Sequence, residues 1–486
     1  MIAIIGAGIA GLAAAFFLRD EPVRAVVLEG APQTGGKLSV AEVAGCRVDV
    51  GAEALLARRP EGTGLVRAAG LGDDLRSPGT TAARIWSRGA MYRLPARQYM
   101  GVPADVGELG PAGLLTAEGL ERAAREPGLA PTHRDGDVSV QGYVAARFGQ
   151  EVVDRLVDPL LGGVYAGRSE ELSFEATLPG LAQASRTHAS LAAAAASLLP
   201  PAPADPAQAG RPPSAGGPPS PPRPAVFTTL AGGLGALPPA LAAASGAEVR
   251  TGAMVRELAR RPHGWRLTVG SAHAPEYVDA DAVVLALPGR PASRLLGGVP
   301  GAAAAAAALG EISYASMAIV TLAYPETAFP QLPDGSGYLV PAVDGRPVKA
   351  VTFSSVKWPH LRERADGLVF VRCSVGRIGE EAILQRDDGE LAALAAADLA
   401  AATGVRGAPA GVLVTRWGGG LPQYTVGHLD RVARIQAGLA AQPGLAACGA
   451  AYAGVGIPAC VGTARAAVDQ ALAGLRVGSA HGQGGE

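Results

Sequence analysis

A chain of 486 residues, 48% of them apolar, is long enough for about three domains of ~150 residues each and can bury a sizeable core. Its formal net charge of −1 argues against nucleic acid or an acidic polymer as a partner. The seven histidines and four cysteines (Cys46, Cys373, Cys448, Cys460) show neither H-E-x-x-H nor C-x-x-C spacing, so no metal site is expected, and the cysteines read as buried free thiols of a reducing cytosol.

Met1 to Ile5 is an apolar, β-branched run of buried-strand type. Gly6-Ala7-Gly8-Ile9-Ala10-Gly11 then fits G-x-G-x-x-G, Leu12–Leu18 has good helix formers, and Val23–Leu28 returns to strand residues. Glu29 stands 18 residues after Gly11. Gly6 permits the tight turn, Gly8 lets backbone approach a pyrophosphate, and Gly11 lets helix and strand pack closely. The helix N-terminus offers N–H groups and partial positive charge to a diphosphate, and Glu29 is placed to accept hydrogen bonds from ribose hydroxyls. This is a nucleotide site. A secretory or membrane segment does not fit, because no basic n-region precedes the apolar run and three glycines interrupt it.

Gly35-Gly36-Lys37 follows, a second glycine loop able to bring backbone to the same ligand, and Val48–Glu53 is an extended segment ending in a turn. From Thr80 to Arg97, Arg84, Arg88, Arg93 and Arg97 alternate with Trp86, Tyr92 and Pro95, which suits either a flat anionic ligand or a solvated edge strand. Leu114–Ala124 and Val140–Leu161 read as helices, the second with Ser139 as N-cap. Pro200–Pro224 is rich in Pro, Gly, Ser and Ala and is expected to be a mobile surface insertion. Thr229–Gly235 leads into a helix at Leu237–Ala244. Glu248–Leu258, Trp265–Val269 and Ala282–Leu287 read as strands, the last ending at Pro288 beside a ligand-facing loop. Glu311–Tyr324, Val348–Ser354 and Leu368–Arg377 suggest the mixed sheet of a second domain, and Leu391–Ala402 a helix. Leu445–Cys448 is a strand, Gly454–Pro458 a loop, and Val461–Leu475 a helix with one apolar stripe.

In this order, Gly6–Leu12, Glu29, Gly35-Gly36-Lys37, Val48–Glu53, Pro159–Gly167, Thr229–Gly235, Val283–Pro288, Arg416-Trp417, Leu421–Tyr424 with Gly427-His428, and Gly454–Cys460 resemble the flavin-dependent protoporphyrinogen/coproporphyrinogen oxidase family, part of the monoamine-oxidase-like flavoprotein group. The first three markers are common to many two-domain flavoproteins, whereas Pro159–Gly167, Leu421–His428 and the C-terminal loop are far more specific. The resemblance implies an α/β plus α+β fold: a discontinuous Rossmann-type FAD-binding domain (1–78, 226–290, 416–478), a mixed-sheet substrate domain (79–97, 291–415) and a helical subdomain (98–199). The insertion (200–225) and a flexible tail (479–486) complete the division.

Carried over residue by residue, the resemblance implies FAD contacts at Gly6, Ala7, Gly8, Ile9, Ala10, Gly11, Glu29, Gly30, Lys37, Gly51, Ala52, Glu53, Ala54, Val255, Trp417, Ile457, Pro458 and Ala459. The family usually has an acid where this chain has Ala459 and a glycine where it has Ala464, so the acid's side-chain contact is lost here. The implied reaction removes six electrons from a porphyrinogen in three flavin cycles, with O2 as acceptor and H2O2 as product, and needs no catalytic triad. Arg84 is the leading anchor for a substrate propionate, with Arg168 and Lys357 as weaker candidates. Only Lys37, Lys349 and Lys357 are lysines among 42 basic residues, a GC-rich signature; the chain resembles the compact actinobacterial type of the family, and that resemblance implies coproporphyrinogen III rather than protoporphyrinogen IX as substrate in haem biosynthesis. The protein is expected to be cytoplasmic with at most peripheral membrane contact, and a ferrochelatase is a candidate transient partner to which no residue is assigned. A flavin amine oxidase is the enzyme alternative. A Rab-escort-type prenyl binder is the non-catalytic one, which the intact Gly6, Gly8, Gly11 and Glu29 oppose.

Overall fold

The apolar run at the amino terminus forms a strand because both its faces find cover. Ile2–Ile5 is wholly buried and pairs in parallel with Ala25–Leu28 on one side and Ala282–Leu285 on the other. Glu248–Arg250 and Leu445–Ala447 complete a five-stranded parallel sheet, so segments from the beginning, middle and end of the chain share one ladder. Ile2 and Ile4 face the helices Ile9–Leu18 and Ile457–His481; Ala3 and Ile5 face the layer containing Trp265 and Leu309. Burial on both faces is what near-continuous apolar strands require. The computed structural model describes residues 1–200 and 226–481. The insertion expected at 200–225 lies outside the described residues from 201 on, as do the last five of the expected tail.

A seven-stranded sheet forms the second layer, in the order Gly411–Pro422, Tyr314–Pro325, Leu368–Val375, Val348–Phe353, Gly337–Leu339, Ala83–Ser87, Ala90–Arg93. Only the Gly337–Leu339 and Ala83–Ser87 pair is parallel. Strand alternation splits its residues between two faces. Val320, Cys373, Val351 and Tyr338 lie in register under the helix Asp388–Thr403, which buries Leu391, Ala395 and Leu399. Thr321 and Arg372, one residue on, turn to the opposite face.

Helices between residues 106 and 197 pack as a third layer around Val144, Phe148, Leu156 and Leu161. A buried carboxylate ties it together: Glu126 accepts from Arg147 Nε at 2.8 Å and from the Leu191 N–H at 2.6 Å, and it is fully buried.

Several expected elements differ in detail. Ser139 does cap its helix, accepting from the Gly142 N–H, but the helix ends at Phe148 because Gly149 takes φ +96°. The chain re-enters helix at Gln150, passes through a π-type turn at Val153–Val157 and continues as Asp158–Tyr165. Pro159 has no N–H to give to the preceding turn, and the widened turn accommodates it. The final helix starts at Ile457, four residues before its expected start. The long strand Gly411–Pro422 was hidden by its glycines and proline, which it tolerates as an edge strand.

Candidate active site

The glycine turn after the first strand is sterically obligatory at two positions and open at a third. A Cβ on Gly6 (φ +103°) would lie 2.5 Å from the Ala286 carbonyl oxygen, and one on Gly11 would lie 1.8 Å from that of Gly6. A Cβ on Gly8 would meet nothing within 4 Å, so the Gly8 backbone fronts open space at the N-terminus of Ile9–Leu18. Gly35 bridges to Gly8, bringing the second glycine loop alongside. That cradle and its free N–H groups fit the diphosphate of a dinucleotide. Glu29 accepts from the Ala7 N–H at 2.7 Å and from the Ala31 N–H at 2.8 Å. The carboxylate thus fixes the turn with one lone pair on each oxygen and keeps others for a ribose. The Ala253 N–H donates to the Glu29 carbonyl and Met254 covers Gly30, which sets Val255 beside this end of the site.

Lys37, Gly51 and Trp417 converge at the other end. Trp417 Nε1 donates to the Val50 carbonyl at 3.1 Å, and a Cβ on Gly51 would lie 2.0 Å from the Lys37 carbonyl oxygen and 3.0 Å from the Trp417 ring. Lys37 is exposed to solvent along one side and packed by protein along the other. Burial there lowers its pKa, against an opposing pull from Cys460. Ile457, Pro458 and Ala459 open the carboxy-terminal helix, whose N-terminal partial positive charge favours an electron-rich ligand.

Glu53 turns into a charged cluster. Its carboxylate accepts from Trp358 Nε1 at 2.9 Å and faces Arg372 at 3.1 Å and Lys357 at 3.7 Å. Burial pushes its pKa up, but Lys357 and Arg372 outweigh that and hold it below the ordinary carboxylate value. Arg372 also donates to the Gly51 carbonyl, clamping the loop to the second sheet. Asp49, nearby, accepts from the Leu234 and Gly235 N–H groups and is raised to about 6, chiefly by burial.

A third group joins the helical layer to the C-terminal loop. Tyr424 Oη donates to the Ala450 carbonyl at 2.6 Å and accepts from the Gly454 N–H at 2.7 Å. The ring of His428, fully buried, stacks on Tyr424 at 3.9 Å, and Tyr165 packs against Tyr424 at 5.7 Å. Burial first, then Arg431, lowers the His428 pKa to about 4, so the ring is neutral at physiological pH.

The three expected propionate anchors are not brought together. Arg84 lies in register with Tyr338, on the sheet face covered by Asp388–Thr403, and pairs with Asp334 at 2.6 Å. That is the face opposite Arg372, where Arg84 lines a groove with Met91 and Phe353. Strand parity is the reason: residues in register across a sheet share a face. Arg168 pairs with Glu380 at 3.1 Å, and Lys357 with Glu53 while lying over the rings of Trp358 and Phe227. Sequence reasoning assigned nothing to Arg372 and Trp358, and it took Asp49 and Tyr165 only as parts of the markers Val48–Glu53 and Pro159–Gly167. For Arg372 the available signal was a charge inside the apolar run Val369–Val375.

Comparison with known proteins gives this geometry a context. Residues 9–472 match the family model described as flavin containing amine oxidoreductase. The coproporphyrinogen III oxidase of Mycobacterium tuberculosis is 38% identical over 97% of both chains, and that of Bacillus subtilis 30% identical over 97% of both. The protoporphyrinogen oxidase of Bos taurus is 28% identical over 97% of this chain and 98% of its own. A solved Exiguobacterium sp. 255-15 structure, provisionally assigned as a protoporphyrinogen oxidase, superposes with TM-score 0.82 at 29% identity, covering 98% of each chain. Among the described residues no helix is long and apolar enough to cross a membrane.

Proposed function

This chain belongs to the flavin containing amine oxidoreductase family, and on that premise we propose that it oxidises coproporphyrinogen III to coproporphyrin III in haem biosynthesis. It is an FAD-dependent oxidoreductase. The observation that carries the substrate assignment is 38% identity, end to end, with actinobacterial proteins of that name. FAD supplies the two-electron acceptor, so a macrocycle that must lose six hydrogens turns over three times, with O2 as final acceptor and H2O2 as product.

The chain's own residues bind and orient. Gly8 with the second glycine loop receives the diphosphate, and Glu29, Gly30 and Val255 hold the nucleoside end. Lys37, Gly51 to Ala54, Trp417 and Ile457 to Ala459 surround the ring. The helix N-terminus at Ile457 steadies negative charge there. Of the candidate anchors, Lys357 stands beside the Gly51–Ala54 loop, while Arg168 is held by Glu380 and reaches a substrate only by exchanging that partner. The domain division given above remains our reading of how these segments group, and a cytoplasmic location with transient ferrochelatase contact accompanies the pathway assignment. Turnover of the two porphyrinogens, followed by porphyrin fluorescence, tests the substrate. Higher kcat/KM for coproporphyrinogen III is expected, and the reverse order reassigns the chain to protoporphyrinogen IX.

A further inference from the structure

Beside the Glu53 carboxylate lies a cavity of about 20 Å³, lined by Asp49, Thr321, Ser354, His360, Arg364 and Arg372. Thr321 and Arg372 are cross-strand partners on the sheet face opposite the helix Asp388–Thr403; the first is fully buried and the second 8% exposed. Neither Thr321 Oγ1 nor Arg372 Nε has a hydrogen-bond partner, and both line this one cavity. Buried polar atoms are rarely left unpaired, and a polar cavity above the roughly 10–15 Å³ that one water occupies is where such atoms find one. The exposed Arg364 and Arg47 also line it, so the pocket runs from the surface to the buried Asp49 and the half-buried Glu53.

We propose that this cavity holds ordered water, bonded by Thr321 and Arg372, that carries protons between solvent at His360 and the Asp49–Glu53 carboxylates beside the cofactor loop. The proposal rests on the flavin oxidase reading. Reduction of O2 to H2O2 takes up two electrons and two protons; hydride passed to the flavin brings both electrons and one proton, and the second, which the substrate released in the preceding half-reaction, must return through protein or solvent. Along this path, a proton enters the water at the mouth and passes to Asp49, which releases its own past Glu53 toward the cofactor loop, where it ends on the oxygen of H2O2. No electron moves with it and each carrier ends as it began. Asp49 suits the relay because burial raises it to about 6; Glu53, Arg372, Arg47, His360 and Arg364 are the charged or titratable groups that face the same cavity.

The test uses holoenzyme photoreduced without any porphyrinogen, then mixed with O2 in H2O and in D2O while the flavin absorbance returns. A high-resolution crystal structure of the same protein should show water within hydrogen-bond distance of Thr321 Oγ1 and Arg372 Nε. Thr321→Val and, at the mouth, His360→Gln should keep their FAD, slow reoxidation about tenfold and enlarge the solvent isotope effect. A dry cavity, or two flavin-loaded variants with wild-type rates and isotope effects, overturns the relay alone. A protein that takes up no FAD overturns the oxidase reading beneath it.

Discussion

Replacing Glu53 with alanine strips one carboxylate from the buried Arg372 and the half-buried Lys357. The partners stand at 3.1 Å (Arg372) and 3.7 Å (Lys357), with side-chain exposures of 9% and 17% against 10% for Glu53. At an effective dielectric of about 20, the two attractions come to roughly 5 and 4 kcal/mol. Desolvation of all three groups offsets most of that gain. What a truncation exposes is the uncompensated cation left behind, about 3–5 kcal/mol for a buried pair. Because the Glu53 pKa is lowered on folding, its contribution is present above the ordinary carboxylate value and is lost as pH falls through the lowered folded value. Urea denaturation at neutral pH of wild type, Glu53→Ala, Arg372→Ala and the double variant measures it. We expect Glu53→Ala to lose at least about 3 kcal/mol and the pair to couple by about 2 kcal/mol. A Glu53→Ala protein as stable as wild type, or additive single effects, would refute the reasoning.

Other consequences are as specific. Gly11→Ala would put a methyl 1.8 Å from the Gly6 oxygen, so the turn must open and the purified protein should lose its yellow flavin absorbance; a yellow Gly11→Ala protein contradicts this. Asp49, raised from 3.8 to about 6, favours the folded state most when protonated. That stability, about 3 kcal/mol for two pKa units, is fully present below the unfolded value and is lost as pH rises toward 6. Asp49→Asn should flatten the fall of the denaturation midpoint across that window, and an unaltered slope would exclude Asp49 as its source. Arg84→Ala should leave KM for the porphyrinogen within about twofold, since Arg84 lies on the far sheet face; a tenfold rise would restore it as a propionate anchor.

The nucleotide-binding unit was legible because its logic is local: strand, glycine turn, helix and acid lie within 29 consecutive residues, each with its own steric or electrostatic reason. The parallel sheet was legible one strand at a time, but its order, with Glu248–Arg250 outside Ala25–Leu28, follows from crossovers that no local pattern records. Arg84 shows the limit most clearly. Its arginine-aromatic setting was correctly seen, but which face it takes depends on register with Gly337–Leu339, more than 250 residues away. The cluster around Glu53 escaped for the same reason, since Arg372 and Trp358 reach it only through the folded second sheet. Gly149 and Pro159 were visible as helix breakers inside Val140–Leu161, and their combined effect is the interruption observed.

The most direct measurement is anaerobic mixing of the FAD-loaded protein with coproporphyrinogen III in a stopped-flow spectrometer. Loss of the oxidised flavin band within the time of one turnover, with porphyrin appearing as O2 is readmitted, is the predicted result. A flavin band that stays unbleached by coproporphyrinogen III, in protein whose FAD dithionite still reduces, would contradict it.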